Sequence, residues 1–298
     1  MKKILLSLIT VAAVSAVAFG ASQAFFSDTE TSEGNILQAG ALDLKIDNTC
    51  YYNNQACIEG FWGGQPNGDP ATNTCSCTWK LSDLDESHVL FDLTDLKPGD
   101  REEDTLSLHV DNNSWMCVDI KTTANDDNSC TEPELEDDPT CTDPGAPGNA
   151  DAFDGELAQN LNFVFWADDG DNVFEEGERE SILTQGPASD VLDGVRWALA
   201  DSQTGEPIPG VGEGEVSAYI GKFFCFGDIA EAPVADGDND PTVASGFTCN
   251  GELVNNASQT DKLTGDFVFE AVQARNNDNF LCNPPATPTL TPTPTGTE

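Results

Sequence analysis

Cations are what this sequence has least of. Its 298 residues include 12 Lys and Arg against 53 Asp and Glu, a formal net charge of −41. A face that grips phosphates needs clustered cations, so nucleic acid is excluded as a partner. Unaided attraction to an anionic lipid surface is excluded for the same reason. Histidine stands at two residues, His88 and His109, and no HExxH stretch sets a pair on one helix. A zinc protease centre therefore lacks its ligands. No GxSxG elbow marks a serine hydrolase, although composition alone leaves a Ser-His-Asp triad open. CxxC pairs are missing too. The closest spacing is Cys75-Ser76-Cys77, which speaks against a zinc–thiolate site. Beyond residue 24 no apolar run approaches the ~20 residues of a membrane-spanning helix, so no membrane attachment is expected once the leader is gone.

The one long apolar run is N-terminal. Lys2 and Lys3 precede Ile4 to Phe19, and Ser22-Gln23-Ala24 puts small residues where a signal peptidase reads. The pattern predicts a secretory leader, residues 1–24, cut between Ala24 and Phe25. An uncleaved anchor is the alternative. All ten cysteines follow it: Cys50, Cys57, Cys75, Cys77, Cys117, Cys130, Cys141, Cys225, Cys249 and Cys282. An even count in a secreted chain predicts a full set of disulfides. Loop proximity favours Cys50–Cys57 and Cys225–Cys249. Cys75 and Cys77 share one side of an extended chain, so each is expected to bond elsewhere. The acid excess has two compatible readings: a solvated, self-repelling surface, or carboxylates gathered around calcium.

Residues 25–39 read as extended and loosely structured, with Phe25, Phe26, Ile36 and Leu37 as their apolar members. A single β-sandwich domain is expected over 40–283, with long loops at 48–77 and 124–160, and a Pro/Thr-rich tail over 284–298. Clean apolar–polar alternation predicts strands at Ala41–Asp47, Thr105–Asp111, Met116–Lys121 and Thr264–Ala274. Short candidates are Trp79–Leu81 and Val89–Leu93. Leu161–Ala167 and Val216–Phe226 are strongly β-prone. Lys97-Pro98-Gly99-Asp100 predicts a type II turn. Residues 188–200 fit either a short helix or a strand. His109 alternates with Leu108 and Val110 and is expected on the outer face of a sheet, and His88 in a turn. The sum is an all-β sandwich, with one or two short helices as the variant.

Three stretches together resemble the TasA/camelysin family of secreted biofilm-matrix fibre proteins. The first is Ala24-Phe25-Phe26-Ser27-Asp28 followed by Gly40-Ala41-Leu42-Asp43-Leu44. The second is Leu96-Lys97-Pro98-Gly99-Asp100, then an alternating strand and Asn112-Asn113-Ser114. The third is Asp266-Phe267-Val268-Phe269-Glu270-Ala271-Val272-Gln273. They cover about a third of the chain; the ten cysteines and the Pro/Thr tail depart from the pattern. The resemblance implies a jelly-roll-like antiparallel β-sandwich and a leader cut by a SipW-type signal peptidase. It also implies that the freed N-terminal segment joins one copy, or a related matrix protein, to the next. Phe25, Phe26, Ile36 and Leu37 would be the anchors of that strand. Packing of the segment on its own sandwich is the alternative. Camelysin relatives also carry a metalloprotease label, which the missing ligand set disfavours.

The best ligand candidate is the acidic turn after Trp166. Asp168, Asp169, Asp171, Glu175 and Glu178 crowd there as in calcium loops, although Val173 and Phe174 stand where an EF-hand needs an oxygen ligand and Gly. Asp236-Gly237-Asp238-Asn239-Asp240 is a weaker second. No enzyme and no cofactor beyond calcium are expected. The expected function is a structural fibre subunit, with a monomeric calcium-binding surface or adhesion module as the alternative.

Overall fold

The structure is a computed structural model that describes residues 27–31, 42–65, 73–141, 154–212, 214–237 and 239–284, the first of these by backbone path alone. The chain is an all-β sandwich. Its smaller sheet runs β1 (Ser27–Thr31), β14 (Lys262–Gln273), β7 (Ser114–Asp126), β10 (Asp193–Ala200). The larger runs β4 (Phe61–Trp62), β3 (Gln55–Ile58), β2 (Leu44–Tyr52), β6 (Arg101–Val110), β11 (Ala218–Phe226), β8 (Leu161–Asp168), β9 (Ile182–Pro187). β5 (Trp79–Ser82) also pairs with β2, and β12 (Asp228–Glu231) with β13 (Phe247–Asn250) forms a separate ribbon.

Alternation decides the core. Leu106, Leu108 and Val110 of β6 point inward with Leu44 and Ile46 of β2. Facing them from the smaller sheet are Val118 and Ile120 of β7 and Phe267 and Phe269 of β14. Phe165 spans the gap, with its ring 4.6 Å from Trp197 and 6.3 Å from Phe267. Burying each such ring contributes about 1.5–3 kcal/mol. The strands β8 and β11 do not alternate because both their faces are covered. Val164, Trp166, Phe223 and Cys225 lie under Phe174 and Phe247, whose rings stack at 4.6 Å. Gly221 sits opposite Trp166 in the ladder, where an added Cβ would come within 2.2 Å of the indole.

All ten cysteines pair: Cys50–Cys77, Cys57–Cys75, Cys117–Cys282, Cys130–Cys141 and Cys225–Cys249. Cys225–Cys249 is the pair that proximity favoured, and Cys75 and Cys77 take different partners. Cys50–Cys57 is not formed. Those two lie close together, beyond the Tyr51–Ala56 pair of the β2–β3 hairpin, but segment 75–77 runs alongside and is stapled to both strands. Such bonds belong with an oxidising compartment. No described helix is long and apolar enough to cross a membrane.

Several local expectations change. Residues 48–77 are not wholly loop: β2 continues to Tyr52, and Asn48 is buried because its amide donates to Asp104 and to the Cys77 carbonyl. Val89–Leu93 is not a strand; it is an irregular segment whose Leu90 plugs the core. Within 124–160, β7 runs on to Asp126 and short helices form at Glu132–Asp137 and Leu157–Asn160. Residues 188–200 hold both readings in turn, a helix at Ala188–Val191 and then β10. The Lys97–Asp100 turn is type II, closed by the Asp100 N–H to the Lys97 carbonyl at 2.9 Å with Gly99 at φ +94°.

Candidate functional site

The N-terminal strand is the first candidate. Ser27–Thr31 lies at an edge of the smaller sheet, antiparallel to β14, with Ser27 opposite Val272 and Thr31 opposite Val268. It has one neighbour in the sheet, so its ladder is one-sided. The Ala24–Phe25 junction and the anchors Phe25, Phe26, Ile36 and Leu37 lie outside the described residues, as does the tail from residue 285. At one end of the sandwich, under segment 89–98, a cavity of about 810 Å³ is lined by Leu157, Phe163, Phe224, Leu263 and Phe267 among others.

The acidic turn after β8 is brought together as a unit, but its carboxylates are largely engaged with amides. Asp168 accepts from the Gly170 and Asn172 N–H groups at 3.0 and 3.2 Å and from Trp166 Nε1 at 3.1 Å. Asp171 accepts from Val173 N–H at 2.9 Å and, across the gap, from Asn239 N–H at 2.9 Å. Glu175 accepts from Gly237 N–H at 2.8 Å, and Glu178 from Glu175 N–H at 3.1 Å. The two acidic stretches picked out by sequence thus dock on each other, and Val173 and Phe174 are core residues rather than failed ligands. Two groups stay unmatched: both polar atoms of Asn172, which is 3% exposed, and Glu178 Oε1 in a side chain 8% exposed by residue. Burial, then the neighbouring Asp168, Asp169 and Glu175, pushes Glu178 up to about 7. Asp169 itself is exposed.

A denser acidic cluster escaped sequence reading. Asp127 at the end of β7, Glu134 and Asp138 around the Glu132–Asp137 helix, Glu156, and Asp261 before β14 converge beside the Cys130–Cys141 disulfide. Their segments are separated by up to half the chain, and each holds common surface residues, so no local spacing could reveal them. The one legible signal was the acid density of residues 124–150.

Both histidines are engaged. His109 does lie on the outward side of β6, yet it is buried because segment 212–217 covers it. Its Nε2 is 2.7 Å from Asp47 Oδ2 and its Nδ1 2.7 Å from the Glu215 carbonyl. Both ring nitrogens thus already have a protein partner. His88 presents a triad-like set: Nε2 is 3.0 Å from Ser82 Oγ and Nδ1 is 2.9 Å from Asp85 Oδ1. The Asp85 backbone N–H, however, donates to Nδ1 at 3.1 Å. Nδ1 is thus shared between that N–H and the Asp85 carboxylate. Asp85 Oδ1 is claimed by the Ser87 amide and hydroxyl. The set closes a turn.

Comparison of the chain with protein-family models, curated proteins and solved structures gave no match.

Proposed function

We propose that the chain is a secreted structural subunit that polymerises by lending its N-terminal segment, freed by a SipW-type peptidase, to the sheet of the next copy. The observation that carries this reading is the position of Ser27–Thr31 at a sheet edge, held by main-chain pairing to β14 alone. An identical segment from another copy makes the same hydrogen bonds, so exchange between copies changes little in energy and much in connectivity. Giving and receiving surfaces differ, so the contact is heterologous and propagates as a fibre. An incoming segment that continued the register for five more residues would set its Ile36 opposite Leu263, at the wall of the apolar cavity. The sequence resemblance to the TasA/camelysin fibre proteins points the same way. No catalytic role is proposed.

The test compares chains beginning at Phe25 and at Gly40, each checked by mass for five closed disulfides. Electron microscopy is expected to show fibres from the first and none from the second. Equal fibres from both would end the strand-exchange reading.

A second reading, a monomeric calcium-binding surface or adhesion module, is favoured by the unmatched atoms of Asn172 and Glu178 in the acidic turn. Sedimentation after secretion separates the two: a single species at the monomer mass supports the module.

A further inference from the structure

The strongest feature that this reading leaves unused is the carboxylate cluster beside Cys130–Cys141. We infer that Asp127, Glu134, Asp138, Glu156 and Asp261 form a calcium site that fastens the segment 127–141 and Glu156 to the start of β14. The inference does not rest on strand exchange.

Spacing is the first argument. Carboxylate oxygens of Asp127, Glu134 and Asp261 lie within 4.8 Å of one another, and so do those of Asp127, Asp138 and Glu156. Two oxygens on one calcium, each at ~2.4 Å, are at most about 4.8 Å apart, so both trios meet the limit. Asp127 belongs to both and would be the shared ligand.

The second argument is an unmatched oxygen. Glu134 is 0% exposed. Its Oε2 accepts from the Thr131 N–H at 2.9 Å, as one half of the capping box that starts the helix. Its Oε1 has no hydrogen-bond partner. A buried carboxylate oxygen left bare costs about 1–3 kcal/mol or more. Glu156 Oε2 is buried without a partner as well. Asp261 is oriented by its Oδ2, which accepts from the Glu156 and Leu157 amides at 2.6 and 2.9 Å.

The carboxylates of Asp138, Asp127, Glu134 and Asp154 all act on Glu156. A divalent ion relieves this repulsion. The donor set names the ion. It is all oxygen, and the adjacent sulfurs are locked in a disulfide, which disfavours zinc. Magnesium demands near-ideal octahedral geometry at ~2.0–2.1 Å, whereas calcium accepts irregular sets of 6–8 oxygens.

The test is calorimetric titration of the oxidised chain with calcium chloride after chelation and dialysis. Binding is expected in the ~10⁻⁴–10⁻³ M range of extracellular modules or tighter, with a raised melting midpoint. Glu134→Gln keeps the capping acceptor and Asp261→Asn keeps an amide acceptor, so both are built to fold. Each should weaken this binding at least tenfold. Glu86→Gln, an exposed side chain outside both acidic clusters, should leave it intact. Wild-type affinity in both Glu134→Gln and Asp261→Asn, no heat at millimolar calcium, or an equal effect of magnesium would each overturn the assignment.

Discussion

At the scale of single residues the least expected feature is Lys222. Its ammonium lies 2.9 Å from Glu102 Oε2, 2.5 Å from Asp104 Oδ2 and 3.3 Å from the Leu90 carbonyl. All three side chains are fully buried, and the Phe91 and Phe224 rings stand 5.2 and 5.8 Å from the nitrogen. Two acids share one cation. Burial pushes Glu102 up to about 8, with Asp104 adding to the rise, and pushes Asp104 upward, while Lys222 opposes both, so the site favours holding a proton as well as the lysine. Removing the cation leaves buried charge uncompensated. Lys222→Met is therefore expected to cost about 3–5 kcal/mol in urea unfolding. Adding Glu102→Gln and Asp104→Asn to it should recover part of that loss, since no charge is then stranded. A loss below about 1 kcal/mol for Lys222→Met would sink this account. None of it was legible. Arg101-Glu102-Glu103-Asp104 reads as solvated surface, and the apolar alternation starts only at Thr105, yet β6 begins four residues earlier with Glu102, Glu103 and Asp104 buried.

At the scale of elements, alternation was a sound guide wherever one face of a strand meets the core. That is why β6, β7 and β14 were readable from Leu106, Val118 and Phe267 outward. It failed where side-chain chemistry replaced apolarity, as at Asn48, and where an apolar run served as a plug, as at Leu90. The Cys50–Cys57 pairing failed because chain proximity ignores a third segment running alongside two neighbours. The pairs also differ in what they hold. Cys117–Cys282 joins residues 165 apart and ties β7 to the segment beyond β14, whereas Cys130–Cys141 joins residues 11 apart. In the chain-entropy account a closed loop of ~100 residues stabilises by about 4.7 kcal/mol and one of ~15 by about 3. Replacing Cys117 and Cys282 together by Ser should thus lower unfolding free energy by about 2 kcal/mol more than replacing Cys130 and Cys141. Guanidinium titration of the two double variants measures this. The reverse order would show that the short loop does more than restrict the unfolded chain.

For the whole molecule the governing quantity is the charge of −41. Self-repulsion on that scale keeps copies apart and strains the compact state, so anything that neutralises carboxylates should favour both folding and close packing. The buried acids give the effect a sign. Burial is the largest cause of a rise to about 8 at Glu103 and Asp261, about 7 at Glu156 and Glu178, and about 6 at Asp168. Their ordinary values are 4.5 for Glu and 3.8 for Asp. Each group binds its proton more tightly when folded, so folding takes up protons. The stability this brings is fully present below about pH 4 and is lost as pH climbs through the folded values, between about 6 and 8. Melting in chelator should therefore show a higher midpoint at pH 5 than at pH 8. Calcium in the proposed site would stand in for protons at Glu156 and Asp261 by binding their ionised forms. Millimolar calcium should raise the midpoint at pH 8 more than at pH 5 and flatten the slope between them. Fibre formation by the chain starting at Phe25 should follow the same order, faster in acid or with calcium than in chelator at pH 8. A midpoint that rises with pH in chelator would mean that these carboxylates are ionised in the folded protein, and the link between their burial and the acidity of the whole chain would fail.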